Sequence, residues 1–270
     1  MSASTHPKHI ALLVCDTPMP SVLAEHGDYD KIFSVLLKES LPAAHDFNVD
    51  SYDVVHKMEY PDENKLEKYD CIMLTGSAAS AYEDREWIHK LVAFVRRIAE
   101  TKPMIKLVGI CYGHQIISMA IGGTCVKNYG KWEVGPTPMT MTELGKGLLR
   151  VSGDELILQE MHQDHVPTVP PNCHLLASTP ISINQGYVRF APDTAPPADG
   201  TQVDPSTIQI FTVQGHPEFT QGIMDKLVVA RTEKGILTKE IKEDADKRSA
   251  LRNDGVIVGQ AIWRVLGVGA

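Results

Sequence analysis

Two short segments of this chain combine residue types that could cleave an acyl bond. In Gly109-Ile110-Cys111-Tyr112-Gly113-His114-Gln115 an apolar run ends, a thiol follows within one residue, and a helical run begins. This is the strand–nucleophile–helix pattern of a nucleophile elbow, G-x-S-x-G with cysteine in place of serine. Such a turn holds its nucleophile in a strained backbone conformation, so the residues two places to either side must be small. Gly109 and Gly113 meet that need. The turn aims the sulfur out of the carboxyl edge of a sheet, where open α/β sheets bind ligands. The following helix presents its N-terminus to the sulfur, favouring thiolate, and the backbone N–H of Tyr112 is placed for an oxyanion. The second segment, Gln214-Gly215-His216-Pro217-Glu218-Phe219, follows a β-type run from Ile208 to Val213. His216 could serve as general base and acid for the cysteine. Glu218, beyond a rigidifying proline, could accept the other ring N–H and fix the tautomer. Taken alone, Cys111 reads equally as a structural thiol and His216 as a solvent-facing turn residue. Together with Glu218 they read as nucleophile, base and orienter.

The elements that must position these residues alternate in type. Short apolar runs at Ile10 to Val14, Phe47 to Val55, Cys71 to Leu74 and Met104 to Ile110 read as strands. Between them, residues 28–41 (stopped by Pro42) and 85–101 carry apolar residues at three-and-four spacing, and Gln115 to Ile121 is an apolar helix ended by Gly122-Gly123. This alternation predicts an α/β fold with right-handed crossovers, a largely parallel central sheet and helices on both faces. From 124 to 219 the runs at 139–142, 174–178, 186–190 and 208–214 are β-type, with one weak helical stretch near 153–161. They predict an antiparallel extension of the sheet. Residues 191–207 are rich in Pro, Asp and Gly and read as a surface loop. Helices are expected at 220–234 and 254–266, with the charged run 239–254 as a solvated helix face. No repeat or linker divides the chain, so one domain over residues 1–270 is expected.

The 270 residues carry 26 Lys and Arg against 34 Asp and Glu, a net charge of −8. That balance argues against nucleic acid or an anionic membrane as partner and favours a small polar or zwitterionic substrate. The five cysteines include no C-x-x-C pair, and an odd number cannot be fully paired, so reduced thiols of a cytoplasmic protein are expected. Met1 to His9 is polar and lacks a signal-peptide core, and no apolar run approaches the roughly 20 residues of a membrane helix.

The pair GICYGHQ (109–115) and QGHPEF (214–219) resembles the triad, or class I, glutamine amidotransferases. The resemblance runs from about residue 9 to 219. LTGSAAS (74–80) is similar to that family's oxyanion loop, GKWEVG (130–135) to its Trp-Glu-Ile-Gly strand, and MHQDHV (161–166) to its His-x-Asp-x-Val loop beside the substrate. The resemblance implies a flavodoxin-like fold and attack of Cys111 on the side-chain amide of glutamine, giving glutamate and ammonia through a γ-glutamyl thioester. It also implies oxyanion donors at the backbone of Gly76 or Ser77 beside Tyr112. Gln115 and the backbone around His162 and Gln163 would grip the α-amino and carboxylate end. No cofactor or metal is expected.

One departure is Gly76-Ser77-Ala78, where many members have proline at the third position. The motifs use most of the chain, so an ammonia-consuming synthetase would be a separate subunit, or the protein a stand-alone hydrolase. HGDYDKIF (26–33) and TGSAASAYEDREWI (75–88) resemble the free-standing branch with plant γ-glutamyl peptidases, which differ only in the leaving amine. A catalytically silent binding or regulatory module of the same fold is a further alternative. His162 to His165 lacks a supporting metal-ligand cluster. His114, next but two to the thiol, is not read as the base, and Trp87 and Trp132 read as packing aromatics.

Overall fold

The computed structural model describes residues 6–194, 197 and 202–269. In the first half, β1 (Lys8–Val14), α1 (Pro20–His26), α2 (Tyr29–Ser40), β2 (Phe47–Asp53) and β3 (Cys71–Leu74) are followed by α3 (Glu86–Thr101), β4 (Lys106–Ile110) and α4 (Tyr112–Ala120). The middle contains β5 (Val126–Lys127), β6 (Glu133–Met141), α5 (Glu143–Leu149), β7 (Glu155–His162), β8 (Asp164–His165), β9 (His174–Ser178) and β10 (Gly186–Phe190). β11 (Ile208–Val213), α6 (Gln221–Glu233), α7 (Lys239–Arg248) and α8 (Gly255–Val265) complete it.

Among the described residues, nine strands form one sheet in the order β2-β1-β3-β4-β11-β10-β9-β6-β7, and β5 pairs with β8 separately. From β2 to β11 all neighbours are parallel; from β11 onward they are antiparallel. The expected parallel core with an antiparallel extension is therefore the observed architecture. Central strands such as β3 are buried along their whole length, which is why their sequences are unbroken apolar runs rather than alternating ones. One face packs on α2, α5 and α8, where Phe33, Leu37, Leu148 and Trp263 are buried; the other packs on α3 and α4 through Leu91, Ile98, Ile116 and Ile117. Burying each large side chain of this kind is worth about 1.5–3 kcal/mol. A third cluster gathers α1, α6 and α7 around Met161 and Phe219 at the carboxyl end of the sheet.

Three expectations fail for physical reasons. The stretch near 153–161 is strand β7, not a helix: its apolar residues mimic a helical stripe, but pairing with β6 from Glu133↔His162 to Thr140↔Glu155 decides the conformation. β6 begins six residues earlier than 139 and runs through Pro136 and Pro138. There its second edge carries no partner strand, a position that tolerates proline. Helices α1 and α5 were not anticipated, since seven residues are too few to establish a helical period. The charged run near 239–254 does form a helix, α7, with Ala245 as its buried contact. Of the expected loop over 191–207, residues 195, 196 and 198–201 lie outside the described residues; its base is closed by Ala191 N–H donating to Thr207 O at 2.7 Å. Among the described residues no helix is long and apolar enough to cross a membrane.

Candidate active site

β4 runs directly into α4 through Cys111, whose backbone sits at φ 51°, ψ −102°. A non-glycine residue in that region stores about 1–3 kcal/mol, so its surroundings must fix it. They do: Cys111 N–H donates to Val213 O at 2.9 Å and Gln115 N–H to Cys111 O at 3.2 Å. The flanking glycines follow from close approach. A Cβ at Gly109 would lie 2.6 Å from the Gly113 carbonyl carbon, and one at Gly113 would lie 2.6 Å from Leu74 O. Cys111 is 5% exposed and lines a cleft of about 480 Å³ over the carboxyl edge of the sheet.

β11 delivers His216 to the same cleft. Its backbone N–H donates to Gln159 O of β7 at 2.7 Å, its ring stacks on Phe219 at 4.0 Å, and its Nδ1 lies 2.8 Å from Glu218 Oε1. A carboxylate accepts only, so Nδ1 carries the proton and Nε2 is left for the cysteine side. Burial alone would favour the neutral ring, but the charges on Cys111 and Glu218 hold its proton up to about 10. Glu218 is buried behind the ring and off the cleft. The carboxyl-terminal segment braces this loop. Asn253 Nδ2 donates to Phe219 O at 2.9 Å, Asp254 Oδ2 accepts from Ile157 N at 3.0 Å, and Gly255 begins α8 against the Pro217 carbonyl, which leaves no room for a Cβ.

The loop after β3 stands over both groups. A Cβ at Gly76 would meet His216 Cε1 at 2.8 Å and Cys111 Cβ at 3.7 Å. Ser77 lines the cleft, and among the described residues neither its N–H nor that of Tyr112 has a protein acceptor. On the other wall, Gln115 Nε2 donates to Asp164 O at 3.1 Å and to Gln214 Oε1 at 3.2 Å. His162 turns its ring inward: Nδ1 donates to Asp164 O at 3.0 Å, and Nε2 is 3.2 Å from both Glu133 and Glu160. Burial opposes charge on that ring, yet the two carboxylates hold its proton well above the usual range. Gln163 O is taken by Asn128 N at 3.2 Å, and the segment 161–164 faces the cleft.

Residues 28–233 match the family described as Glutamine amidotransferase class-I. The chain belongs to the class I glutamine amidotransferase family. It is 33% identical to a glutamine amidotransferase-like protein of Schizosaccharomyces pombe over 96% of this chain and 98% of the relative. It is 30% identical to gamma-glutamyl peptidase 3 of Arabidopsis thaliana over 63% of each chain. The fold is shared with the crystal structure of a glutamine amidotransferase from Thermotoga maritima, with a TM-score of 0.65, 17% identity and coverage of 97% of this chain and 99% of that one.

In this member of the family, all nine expected site residues gather at one sheet edge. The Gln115 amide group is spent on Asp164 and Gln214, leaving its carbonyl oxygen without a partner among the described residues, and the His162 side chain points away from the cleft. The missing proline of the oxyanion loop has a replacement. Ala78 keeps the N–H that proline lacks, and Asp16 Oδ2 grips it at 2.7 Å. A hydrogen bond to a charged acceptor is worth about 1.5–3 kcal/mol, enough to tie the loop to the end of β1. Trp132 is half-buried and packs against the third cluster as expected, and it also lines the cleft, with the Arg231 guanidinium 5.8 Å from its ring. Trp87 packs on Tyr112 at 5.7 Å as expected. His114 is sealed in the core against Thr212 at 2.9 Å, where burial takes its proton affinity down to about 3. Sequence reasoning missed Asp16, Glu160 and Gln214, whose Nε2 donates to Cys111 Sγ at 3.6 Å. Gln214 sat within a quoted motif, whereas Asp16 and Glu160 carry no signal beyond following or ending a strand.

Proposed function

We propose that this protein hydrolyses γ-glutamyl amide bonds with Cys111 as nucleophile. The observation that carries the reading is the Cys111 elbow facing a histidine whose other nitrogen is fixed by Glu218 at 2.8 Å. His216 Nε2 takes the Cys111 thiol proton, Cys111 Sγ bonds to the γ-carbonyl carbon, and the C=O electron pair moves to oxygen, which takes hydrogen bonds from the N–H groups of Ser77 and Tyr112. Gly76 leaves room for His216 in this arrangement. The tetrahedral adduct collapses, the C–N bond breaks, and the departing amine takes the Nε2 proton of His216. His216 then removes a proton from water, the hydroxide attacks the thioester carbon, and glutamate leaves as the thiolate re-forms. Gln115 Oε1 and the 162–164 backbone hold the α-amino and carboxylate groups, with His162 fixing that backbone from behind.

The experiment is glutamate release from glutamine, glutathione and a γ-glutamyl dipeptide, each against Cys111→Ala. Release that vanishes in the variant supports the reading. Absence of release from all three, with wild type and variant alike, overturns it and leaves a binding module of the same fold.

A further inference from the structure

The cleft holds more than ammonia chemistry requires, and its surplus is cationic. The departing amine must take its proton from His216, so it lies on the side of the cleft walled by His216, by Phe219 stacked on it, and by the inward stripe of α6. That stripe ends in Arg231 and Lys234. Arg231 is half-buried, and among the described residues its guanidinium has neither an ion-pair nor a hydrogen-bond partner, leaving five N–H donors above the Trp132 ring. Burial lowers its affinity for the proton, while the charges on Cys111 and Asp16 oppose that effect. Among the described residues, the carboxylates of the cleft form no ion pair with it. Asp16 is committed to Thr17 N and Ala78 N, and Asp164 to Ser80 and Tyr82. In a chain of net charge −8, a vacant guanidinium fork in the cleft that holds the nucleophile is a site for an anion.

Ammonia supplies no anion there; an amino acid or peptide amine supplies a carboxylate, the planar partner that a guanidinium binds through two parallel N–H bonds. We propose that Arg231, backed by Lys234, binds the carboxylate of the departing amine, so that the substrates are γ-glutamyl peptides ending in a free carboxylate. The inference rests on the γ-glutamyl hydrolase reading and adds the leaving-group side. On cleavage the amine departs with the His216 proton while its carboxylate is still on Arg231, and the glutamyl half stays on Cys111 as thioester.

The test compares glutathione with glutathione whose glycine carboxylate is converted to the amide, and a γ-glutamyl dipeptide with its C-terminal amide, reading kcat/KM for glutamate release. Wild type is expected to prefer the free acid in at least one pair by about tenfold or more, the ratio corresponding to one good charged contact. In Arg231→Gln that preference collapses toward one, and Arg231→Lys retains part of it. Equal rates on acid and amide in wild type overturn the inference while leaving γ-glutamyl hydrolysis standing. An equal loss on acid and amide in Arg231→Gln also overturns it, since a structural role would do that. Failure to release glutamate from any γ-glutamyl substrate would overturn the hydrolase reading and this inference with it.

Discussion

The substitution Gly76→Ala tests whether the loop after β3 stands over the histidine as the geometry requires. Gly76 does not occupy the left-handed region, so alanine is compatible with its backbone and any effect comes from contact. The added Cβ would lie 2.8 Å from His216 Cε1, whereas carbon atoms in ordinary contact begin near 3.4 Å, so ring or loop must retreat by about 0.6 Å. The ring has little freedom to do so, being stacked on Phe219 at 4.0 Å and bonded to Glu218 at 2.8 Å. A misplacement approaching 1 Å costs up to about a hundredfold in rate, so kcat should fall by about tenfold to a hundredfold. Overpacking should cost about 1–3 kcal/mol of stability. The assay is kcat on the best γ-glutamyl substrate beside urea unfolding, with Gly153→Ala as control because nothing lies within 4 Å of its Cβ position. A Gly76→Ala enzyme with wild-type kcat and wild-type unfolding would refute the placement of this loop over His216.

Glu218→Gln replaces the charged, acceptor-only group that sets the His216 tautomer with an amide that can also donate, and kcat should drop by about a thousandfold or more with little change in KM, read from steady-state kinetics. The His216 proton is held up by Cys111 and Glu218 against burial, so the imidazolium is present below its raised value of about 10 and lost as pH rises through it. In Cys111→Ala one of those charges is gone, and NMR titration of the ring should show a lower pKa than in wild type; an unchanged one would mean that sulfur and ring do not interact. In the buried cluster, burial pushes the Glu160 carboxyl up, whereas His162, Thr179 and Gln185 bind the Glu133 carboxylate, which burial fails to keep from being lowered. Glu160→Gln should therefore cost less than Glu133→Gln, which breaks a buried pair worth about 3–5 kcal/mol, as urea unfolding will show.

The parallel half of the sheet was legible because buried central strands announce themselves as unbroken apolar runs, and Cys111, His216 and Glu218 because each follows such a run within a few residues. β7 was misread because residues buried on both faces lose the period-two signal, leaving a spacing that a helix shares. α5 is short and is held by its Thr142 cap and contacts with β9, which local sequence does not display. Asp16 and Glu160 were invisible for a related reason. Asp16 matters through a partner 62 residues away at Ala78, and Glu160 through the buried ring of His162 two places along the same strand, whose inward turn residue type alone does not display. Ala78 stands in the sequence only as a departure from proline, and the geometry shows which acceptor its N–H finds.

The most direct test of the central assignment is to quench the enzyme with acid during turnover of a γ-glutamyl substrate and map its peptides by mass spectrometry. The predicted result is a γ-glutamyl group on Cys111 as a thioester, absent from the peptides containing the other four cysteines and absent from Cys111→Ala, which releases no glutamate. Continued glutamate release by Cys111→Ala, or a γ-glutamyl group trapped on a different residue, would contradict it.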